Sequence, residues 1–328
     1  MRSMNADGSF RLPEKLKVGK LRFKALQIDG RASISTDLTD EQARGIYAYK
    51  FTDGMWYVGK SVDVRERHVQ HMHDYRHEDP PRVPALMLWA EVRGDDRQLD
   101  YAETRAISWF ERNGYQLTNV MKTGRPRGDM DVAVDTGAGW GVPIPWERDN
   151  LPSSTRDFQF EPDTSKLKRF EHLRRTEYYD ELIDLLAWYV RNTIPAPADT
   201  AGTLWTATAL PTTAKSSRLC TISCQNAETL VFVKGDDINP DPCGFVNVKK
   251  PEDGKLPRWF KRLNLEYGTL PKCVTLAFDS MSEANKLLRN NRTLDCCYRA
   301  NAELMRRGAS IYRRYNNPYL VEDILRGI

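Results

Sequence analysis

The clearest alternation of apolar and polar positions in the chain lies in residues 45–59. Residues 45–51 (GIYAYKF) alternate and are rich in aromatic side chains, and residues 52–54 (TDG) are typical of a turn. Residues 55–59 (MWYVG) have the composition of a returning strand. The pattern predicts a β-hairpin, and a further short strand is expected upstream at residues 21–27.

Helical signals follow the hairpin. Asp63 is placed to cap a helix, with Glu66 three residues later. Residues 85–92 predict a third strand, and residues 100–112 predict a second helix that ends at the Asn-Gly pair 113–114. A hairpin, a helix, a strand and a helix in this order predict a small α+β domain.

The rest of the chain predicts a second α+β domain joined to the first by a long helix. Residues 124–160 are rich in Gly and Pro, as in an extended connector, and residues 165–192 carry one apolar stripe at helical spacing. Beyond them, strands are expected at 219–222, 230–233, 244–248 and 274–278, and helices at 282–290 and 300–308. We therefore expect an N-terminal extension (1–40), a first domain (41–130), a connector (131–203) and a C-terminal domain (204–328).

Composition limits the class of protein. A chain of 328 residues is long enough for two domains. It has no run of eighteen apolar residues and no apolar segment near its N-terminus, so we expect neither a membrane span nor a secretory signal. Six cysteines without a CxxC pair favour free thiols in a reducing cytoplasm over structural zinc.

Charge is uneven along the chain and favours a polyanionic partner. Residues 131–203 carry about −5, whereas residues 204–328 carry +6, from 19 basic and 13 acidic residues. Basic and aromatic residues alternate within the C-terminal domain, as in phosphate-contacting and base-stacking surfaces. The candidate nucleic-acid-binding residues are Arg258, Lys261, Arg262, Arg306, Arg307, Arg313 and Arg314. The alternative for these clusters is an amphipathic surface with buried aromatic rings.

The most specific signal is a set of spaced residues in the first domain. The tripeptide at 45–47 (GIY) is followed by a second at 57–59 (YVG), whose Tyr57 lies ten residues after Tyr47. In order along the chain there follow Arg67, His71, Glu103 and Asn119. Over residues 43–122 this pattern resembles the GIY-YIG nuclease superfamily, with YVG as a variation of its second tripeptide. The resemblance implies a three-stranded antiparallel sheet with flanking helices.

The resemblance also implies a chemistry. Glu103 would bind one divalent metal, Mg²⁺ with Mn²⁺ as a substitute, and Arg67 would hold the scissile phosphate. Tyr47 resembles the family's general base, its phenol polarised by His71 and Tyr57. Two further residues have supporting roles: Asn119 would hold the Glu103 region or a metal-bound water, and Lys60 would contact phosphate. The products would carry 5′-phosphate and 3′-hydroxyl ends.

Each residue taken alone has a plainer interpretation. Tyr47 and Tyr57 are compatible with an aromatic pair across a hairpin, and Glu103 with a capping box begun by Asp100. Arg67 alone would be a solvated helix residue, and Asn119 a turn residue. The remaining histidines of the cluster, His68, His73 and His77, are expected to be exposed on a helix and not to bind metal. Only the joint occurrence of the pattern points to catalysis.

The sequence thus predicts a Mg²⁺-dependent DNA endonuclease whose C-terminal domain selects the target. Restriction or anti-phage defence is the setting favoured by analogy. A homing or structure-specific repair nuclease is the alternative within the class. Two alternatives are not nucleases that act alone. One is a nucleic-acid-binding protein that does not cut, and the other is an effector controlled by a protein partner bound to residues 204–328. A single site cuts one strand at a time, so clean double-strand cleavage would require a homodimer or two successive nicks.

Overall fold

The computed structural model describes residues 15–39, 43–78, 81–121, 123, 125–128, 133–135, 141–213, 216–237, 240–249, 256, 260–263, 270 and 273–328. The chain divides into two compact units, residues 1–128 and 129–328. Over the described residues the fold is α+β, with eight α-helices and three antiparallel sheets. The predicted boundary at 130/131 lies close to this division. The predicted boundary at 203/204 falls within the second unit.

The first unit is built on a five-stranded antiparallel sheet in the order β1-β2-β5-β3-β4. Its strands are β1 (Lys15–Val18), β2 (Leu21–Gln27), β3 (Gly45–Phe51), β4 (Trp56–Ser61) and β5 (Pro84–Glu91), and its helices are α1 (Val64–Arg76) and α2 (Asp96–Arg112). The three strands expected from the pattern are present as β3, β4 and β5. The sheet has two strands more than the three that were expected, because β2 pairs with the free edge of β5 and β1 pairs with β2.

Strand β3 is buried on both faces, and this explains its apolar and aromatic composition. Ile46 and Ala48 point to the face that α2 covers, whereas Tyr47 and Tyr49 point to the face that α1 covers. The aromatic residues of the strand therefore lie beneath α1.

The two helices of this unit begin at side-chain caps. Asp63 accepts a hydrogen bond from the backbone N–H of Arg65, which confirms the predicted cap of α1. Helix α2 starts four residues earlier than expected, because Asp95 and Gln98 form the capping box. The alternative of a box formed by Asp100 and Glu103 is thus wrong.

The second unit contains a seven-stranded antiparallel sheet with the path β13-β14-β12-β11-β10-β8, on which β9 pairs with β10, and a separate hairpin, β6-β7. Its elements are β6 (Ala133–Asp135), β7 (Gly141–Pro143), α3 (Thr164–Arg174), α4 (Tyr179–Thr193), α5 (Pro197–Thr200), β8 (Trp205–Ala209), β9 (Thr212–Thr213), β10 (Ser216–Cys224), β11 (Ala227–Val233), β12 (Cys243–Lys249), β13 (Lys261–Leu263), β14 (Cys273–Phe278), α6 (Met281–Leu288), α7 (Asn291–Met305) and α8 (Pro318–Arg326). The four strands and two helices expected in residues 204–328 are present as β10, β11, β12, β14, α6 and α7, but α7 begins nine residues before its predicted start at 300 and ends at Met305, not at 308.

The long helix expected over residues 165–192 is two helices. Helix α3 ends at Arg174 and α4 begins at Tyr179. The apolar stripe has a gap here, since no buried apolar side chain lies between Leu173 and Tyr179. Thr176 occupies the gap, and its side chain hydroxyl and its backbone N–H both donate to the carbonyl of Leu173. Both helices belong to the second unit, so residues 131–203 are not a separate connector.

Candidate functional site

The two glycine-containing tripeptides lie side by side in the first unit. Strands β3 and β4 pair with Tyr47 opposite Gly59 and Tyr49 opposite Tyr57. A Cβ on Gly59 would lie 2.5 Å from the Cζ and hydroxyl oxygen of Tyr47, and a Cβ on Gly45 would lie 2.1 Å from the carbonyl oxygen of Ala90. Glycine is therefore required at both positions, because the Tyr47 ring and the β5 backbone occupy the space that a side chain would fill.

Tyr47 forms a buried hydrogen-bonded pair with His71 of α1. The hydroxyl oxygen of Tyr47 lies 2.6 Å from Nε2 of His71, and only 1% of Tyr47 and 6% of His71 is exposed. Burial, and then the neighbouring Tyr57 phenol, raises the pKa of Tyr47 well above its usual range. Burial, and then the charge of Arg67, lowers the pKa of His71 to about 4. Both groups are thus neutral at pH 7, and with its proton on Nδ1 the imidazole accepts from the phenol.

Arg67 lies one helical turn before His71 and presents its charge to both tyrosines. It is exposed, and its Nη1 donates to Oε1 of Gln70 at 3.0 Å. Burial lowers the pKa of Arg67, but interactions with the hydroxyl groups of Tyr47 and Tyr57 raise it by more. The pKa of Arg67 therefore lies above its ordinary value. An exposed guanidinium beside two phenols is the arrangement that an incoming phosphate would meet first.

Glu103 lies on α2, at the side of the buried stripe formed by Leu99, Ala102 and Ala106. The carboxylate is half-buried, and its charge acts on Tyr57. Burial raises the pKa of Tyr57, and Glu103 raises it further while Arg67 lowers it. The pKa of Tyr57 therefore depends on the charges of both Glu103 and Arg67.

One carboxylate is a poor site for zinc but suits Mg²⁺. Over the described part of the chain, no group of three His, Cys, Asp or Glu side chains is placed to hold a metal ion. Mg²⁺ keeps several waters and is often bound through one or two carboxylates together with substrate phosphate. The oxygen ligand of Glu103 thus fits a hydrated Mg²⁺ that a phosphate helps to bind.

Asn119 is buried, and its side-chain amide bonds to the backbone of β4. It is 5% exposed, its Nδ2 donates to the carbonyl of Val58 at 2.7 Å, and its Oδ1 accepts from the N–H of Val58 at 2.9 Å. Residues 116–118 also bond to the backbone of Trp56. Asn119 thus completes the outer edge of β4, where an unpaired strand would otherwise end the sheet. It positions the YVG strand through the backbone. That Asn119 also holds the Glu103 region or a metal-bound water stays a prediction.

Lys60, the other supporting residue, lies on β4 and forms an ion pair with Asp100 of α2. This pair connects the end of the second tripeptide with the helix that carries Glu103. A phosphate contact by Lys60 stays a prediction, and it would have to compete with Asp100.

The histidines next to His71 fall into two groups. The expectation that His68 is exposed is wrong: it is fully buried, its Nδ1 lies 2.8 Å from the hydroxyl of Tyr49, and its Nε2 lies 2.8 Å from the carbonyl oxygen of Arg31. His73 and His77 are exposed as expected, with ring centroids 4.4 Å apart.

Sequence reasoning missed two members of the buried aromatic layer. Tyr75 stacks on His71 with ring centroids 5.3 Å apart and an interplanar angle of 9°, and Tyr49 forms the second tyrosine–histidine pair with His68. The helical spacing of 68, 71 and 75 was the available signal, because residues three and four apart share one face of a helix.

The candidate basic residues of the second unit differ in how far their side chains are exposed. Lys261 and Arg262 on β13 are exposed, as are Arg313 and Arg314 near the start of α8, and Arg258 lies outside the described residues. Phosphate contact by the exposed four stays a prediction.

Arg306 and Arg307 require a correction, since Arg306 is 1% exposed and the side chain of Arg307 is 2% exposed. Nη1 of Arg306 donates to the carbonyl of Ile144 at 2.5 Å, and its guanidinium lies 4.5 Å from the ring centroid of Trp146. Arg307 pairs with the buried carboxylate of Glu303. Both guanidinium groups are used inside the second unit, which does not fit a DNA-contacting surface.

The six cysteines of the chain all lie in the second unit. All six cysteines are free thiols, four of them buried in the core of the second unit. Burial raises the pKa of the Cys220 and Cys224 thiols, as is typical of inert core residues. Of the helices in the described ranges, none combines the length and the apolar character that crossing a bilayer needs.

Comparisons of the whole chain with known proteins returned no match, whether the search was made against family models, curated proteins or solved structures. Support for a function therefore comes from the residue pattern of 45–119 and from the contacts that these side chains make.

Proposed function

We propose that residues 43–122 form a nuclease module of the GIY-YIG type and that the chain is a Mg²⁺-dependent DNA endonuclease. The observation that carries this proposal is the 2.6 Å contact between the hydroxyl of Tyr47 and Nε2 of His71, with the Arg67 charge beside it. Tyr49 and His68 form a second buried pair of the same kind, and Tyr47 differs from Tyr49 in the side-chain hydrogen bond of its hydroxyl with the Arg67 guanidinium. Proton transfer next to a phosphate would use all three groups.

Tyr47 acts in this proposal as a relay and not as a preformed phenolate. Because its pKa is raised far above neutrality, the phenolate is scarce at pH 7. The Tyr47 oxygen takes a proton from the attacking water while its own proton passes to Nε2 of neutral His71. The hydroxide oxygen then bonds to phosphorus and the bond from phosphorus to the 3′-oxygen breaks. The 3′-oxygen gains a proton from solvent, and His71 releases its extra proton to solvent and becomes neutral again. The products carry 5′-phosphate and 3′-hydroxyl ends.

Arg67 holds the scissile phosphate in this mechanism. Its guanidinium offers several donors to the phosphate oxygens and offsets the charge that develops on them. A divalent cation bound at Glu103 would supply further positive charge at the phosphate and at the leaving oxygen. Arg67 and Glu103 act through charge, so each has a conservative neutral substitution that tests it.

The test is cleavage of supercoiled plasmid with Mg²⁺. We expect Arg67→Gln and Glu103→Gln each to reduce the rate at least about a hundredfold, the scale seen when one transition-state donor is removed. Arg97→Gln and Glu66→Gln are the matched controls, since both residues are exposed on the same two helices, and we expect less than a twofold effect. The nicks should be sealed by a ligase that requires 5′-phosphate and 3′-hydroxyl ends.

Two results would count against the proposal. One is cleavage by Glu103→Gln and Arg67→Gln at the wild-type rate. The other is no cleavage of unmodified, modified or branched DNA by a folded wild type that binds DNA, which would favour the binding protein or the partner-gated effector.

Target selection is assigned in this proposal to the second unit. Lys261, Arg262, Arg313 and Arg314 are exposed there and are available for phosphate contacts. We favour a cytoplasmic restriction or anti-phage enzyme, with homing or repair as the alternative. Preferential cutting of phage DNA or of one base modification would support the first, and preferential cutting of branched DNA would support repair. A second-order dependence of double-strand cutting on protein concentration would indicate a homodimer.

A further inference from the structure

A cleft of about 530 Å³ lies within the second unit, and none of the residues that line it belongs to the Tyr47 cluster. Its walls come from the first turns of α3, from strands β8 and β10, and from residues 312–317 before α8. The volume is in the range of small-ligand sites, roughly 300–1,000 Å³. Residues 312–315 (YRRY) are basic and aromatic, and three of them, Tyr312, Arg314 and Tyr315, form part of the wall of this concave site.

The cleft is electropositive. Four cationic side chains and one carboxylate line it: Lys166, Arg169, Arg218, Arg314 and Glu228. Arg218 forms an ion pair with Glu228, and Lys166 lies 3.9 Å from Asp163, which caps α3. Arg169 is exposed at the wall and forms no ion pair within the described ranges. The positive excess favours an anionic ligand.

The floor of the cleft carries hydroxyl groups. Cys220 and Ile222 of β10 point into the hydrophobic core, so Thr221 and Ser223 point to the opposite face and line the cleft. Thr221 is 3% exposed, and its Oγ1 has no hydrogen-bond partner among the residues that the structure describes. A buried hydroxyl is normally paired, so one that lines a cavity is a ready contact for a ligand.

Tyrosine rings line the cleft as well. Tyr312 is half-buried, and its hydroxyl donates to the carbonyl of Asn226 at 3.4 Å, which ties the ring to the turn after β10. Tyr315 is exposed, and the guanidinium of Arg314 lies 4.5 Å from its ring centroid. Rings of this kind stack on planar bases, and the Arg–Tyr pair adds a second flat surface.

We propose that this cleft binds a nucleoside phosphate. Its arginines would take the phosphate, a tyrosine ring would stack on the base, and the hydroxyl of Thr221 would bond to a polar edge of the ligand. An acidic peptide would satisfy the cations but would use neither the rings nor the buried hydroxyl. The nucleotide has two sources, a free nucleotide or one extruded from DNA. Only the second source rests on the proposed nuclease function.

The test is calorimetric binding to the full chain in EDTA, so that no cleavage occurs. The probes are the four deoxynucleoside 5′-monophosphates, each up to about 5 mM, and a 12-base-pair duplex with one unpaired nucleotide. We expect Arg169→Gln to weaken binding at least about fivefold and Thr221→Val at least about threefold. Lys168→Gln is the matched control, because it removes one exposed charge from the neighbouring position of α3, and we expect it to bind like the wild type.

Each outcome has a defined meaning. Binding of a free monophosphate with this variant pattern supports a small-nucleotide site, and the same pattern with the duplex alone supports an extruded nucleotide. No binding of any probe overturns the proposal, as does equal weakening by Arg169→Gln and Lys168→Gln. If Thr221→Val folds and binds the probe more weakly, Thr221→Ser should bind like the wild type, because serine keeps the hydroxyl. Binding of a free monophosphate in EDTA requires no cleavage, so this result is separate from any failure of the nuclease proposal.

Discussion

The buried His71 makes the stability of the first unit depend on pH. Its pKa falls from an ordinary 6.5 to about 4 in the folded chain, mainly through burial. Below pH 6.5 the unfolded chain therefore binds more protons at this residue than the folded chain. The stability that neutral His71 contributes is fully present above pH 6.5, which is its pKa in the unfolded chain, and is lost as the pH falls towards 4. At about 1.4 kcal/mol per pKa unit, we expect a loss of about 2 kcal/mol between pH 7 and pH 5.

The assay is denaturant unfolding at pH 7 and pH 5, read by pulsed hydrogen exchange on peptides from residues 45–76. Burial also lowers the pKa of His68, so the wild type alone does not isolate His71. The contribution of His71 is the pH-dependent loss in the wild type minus the loss in His71→Gln. His73→Gln is the control, since His73 is exposed and should leave the loss unchanged. Equal losses in the wild type and in His71→Gln would refute a neutral, buried His71.

Three further substitutions test the packing inside the two units. Gly59→Ala places a Cβ 2.5 Å from Tyr47, so we expect a loss of about 1–3 kcal/mol in urea unfolding together with slower DNA cleavage; wild-type stability would contradict the close packing. Asn119→Ala leaves the Val58 N–H without its side-chain acceptor, so its amide should exchange faster and stability should fall by about 1–3 kcal/mol; unchanged protection would show that the bond is dispensable. Glu303→Ala leaves the buried Arg307 without its carboxylate, so the second unit should lose about 3–5 kcal/mol in thermal unfolding, and a loss below about 1 kcal/mol would contradict a buried ion pair.

Local structure was predictable wherever side-chain pattern and chain geometry agree. The hairpin β3-β4 follows from alternation and a TDG turn, and α1 follows from the Asp63 cap. Pairings between distant segments were not predictable. Nothing in the spacing indicates that β5 lies between β2 and β3, because that order depends on packing across the whole first unit.

The candidate site shows the same division. The spacing of Tyr47, Tyr57, Arg67 and His71 indicated a cluster, and the register of β3 and β4 with one helix turn is sufficient to bring these residues together. The function of Asn119 depends on which backbone group its amide meets. The burial of Arg306 was also hidden, because a basic residue next to aromatic rings has the same sequence pattern on a surface as in a core.

The role of Tyr47 as a proton relay is tested by the rate of Mg²⁺-dependent DNA cleavage by Tyr47→Phe. This change removes only the hydroxyl that lies 2.6 Å from His71 and keeps the ring that packs on Gly59. We expect a fall of at least about a hundredfold in the single-turnover rate, with DNA binding kept and the fold intact by circular dichroism. Cleavage by Tyr47→Phe at the wild-type rate would contradict this role, because the hydroxyl would then have no part in the chemistry.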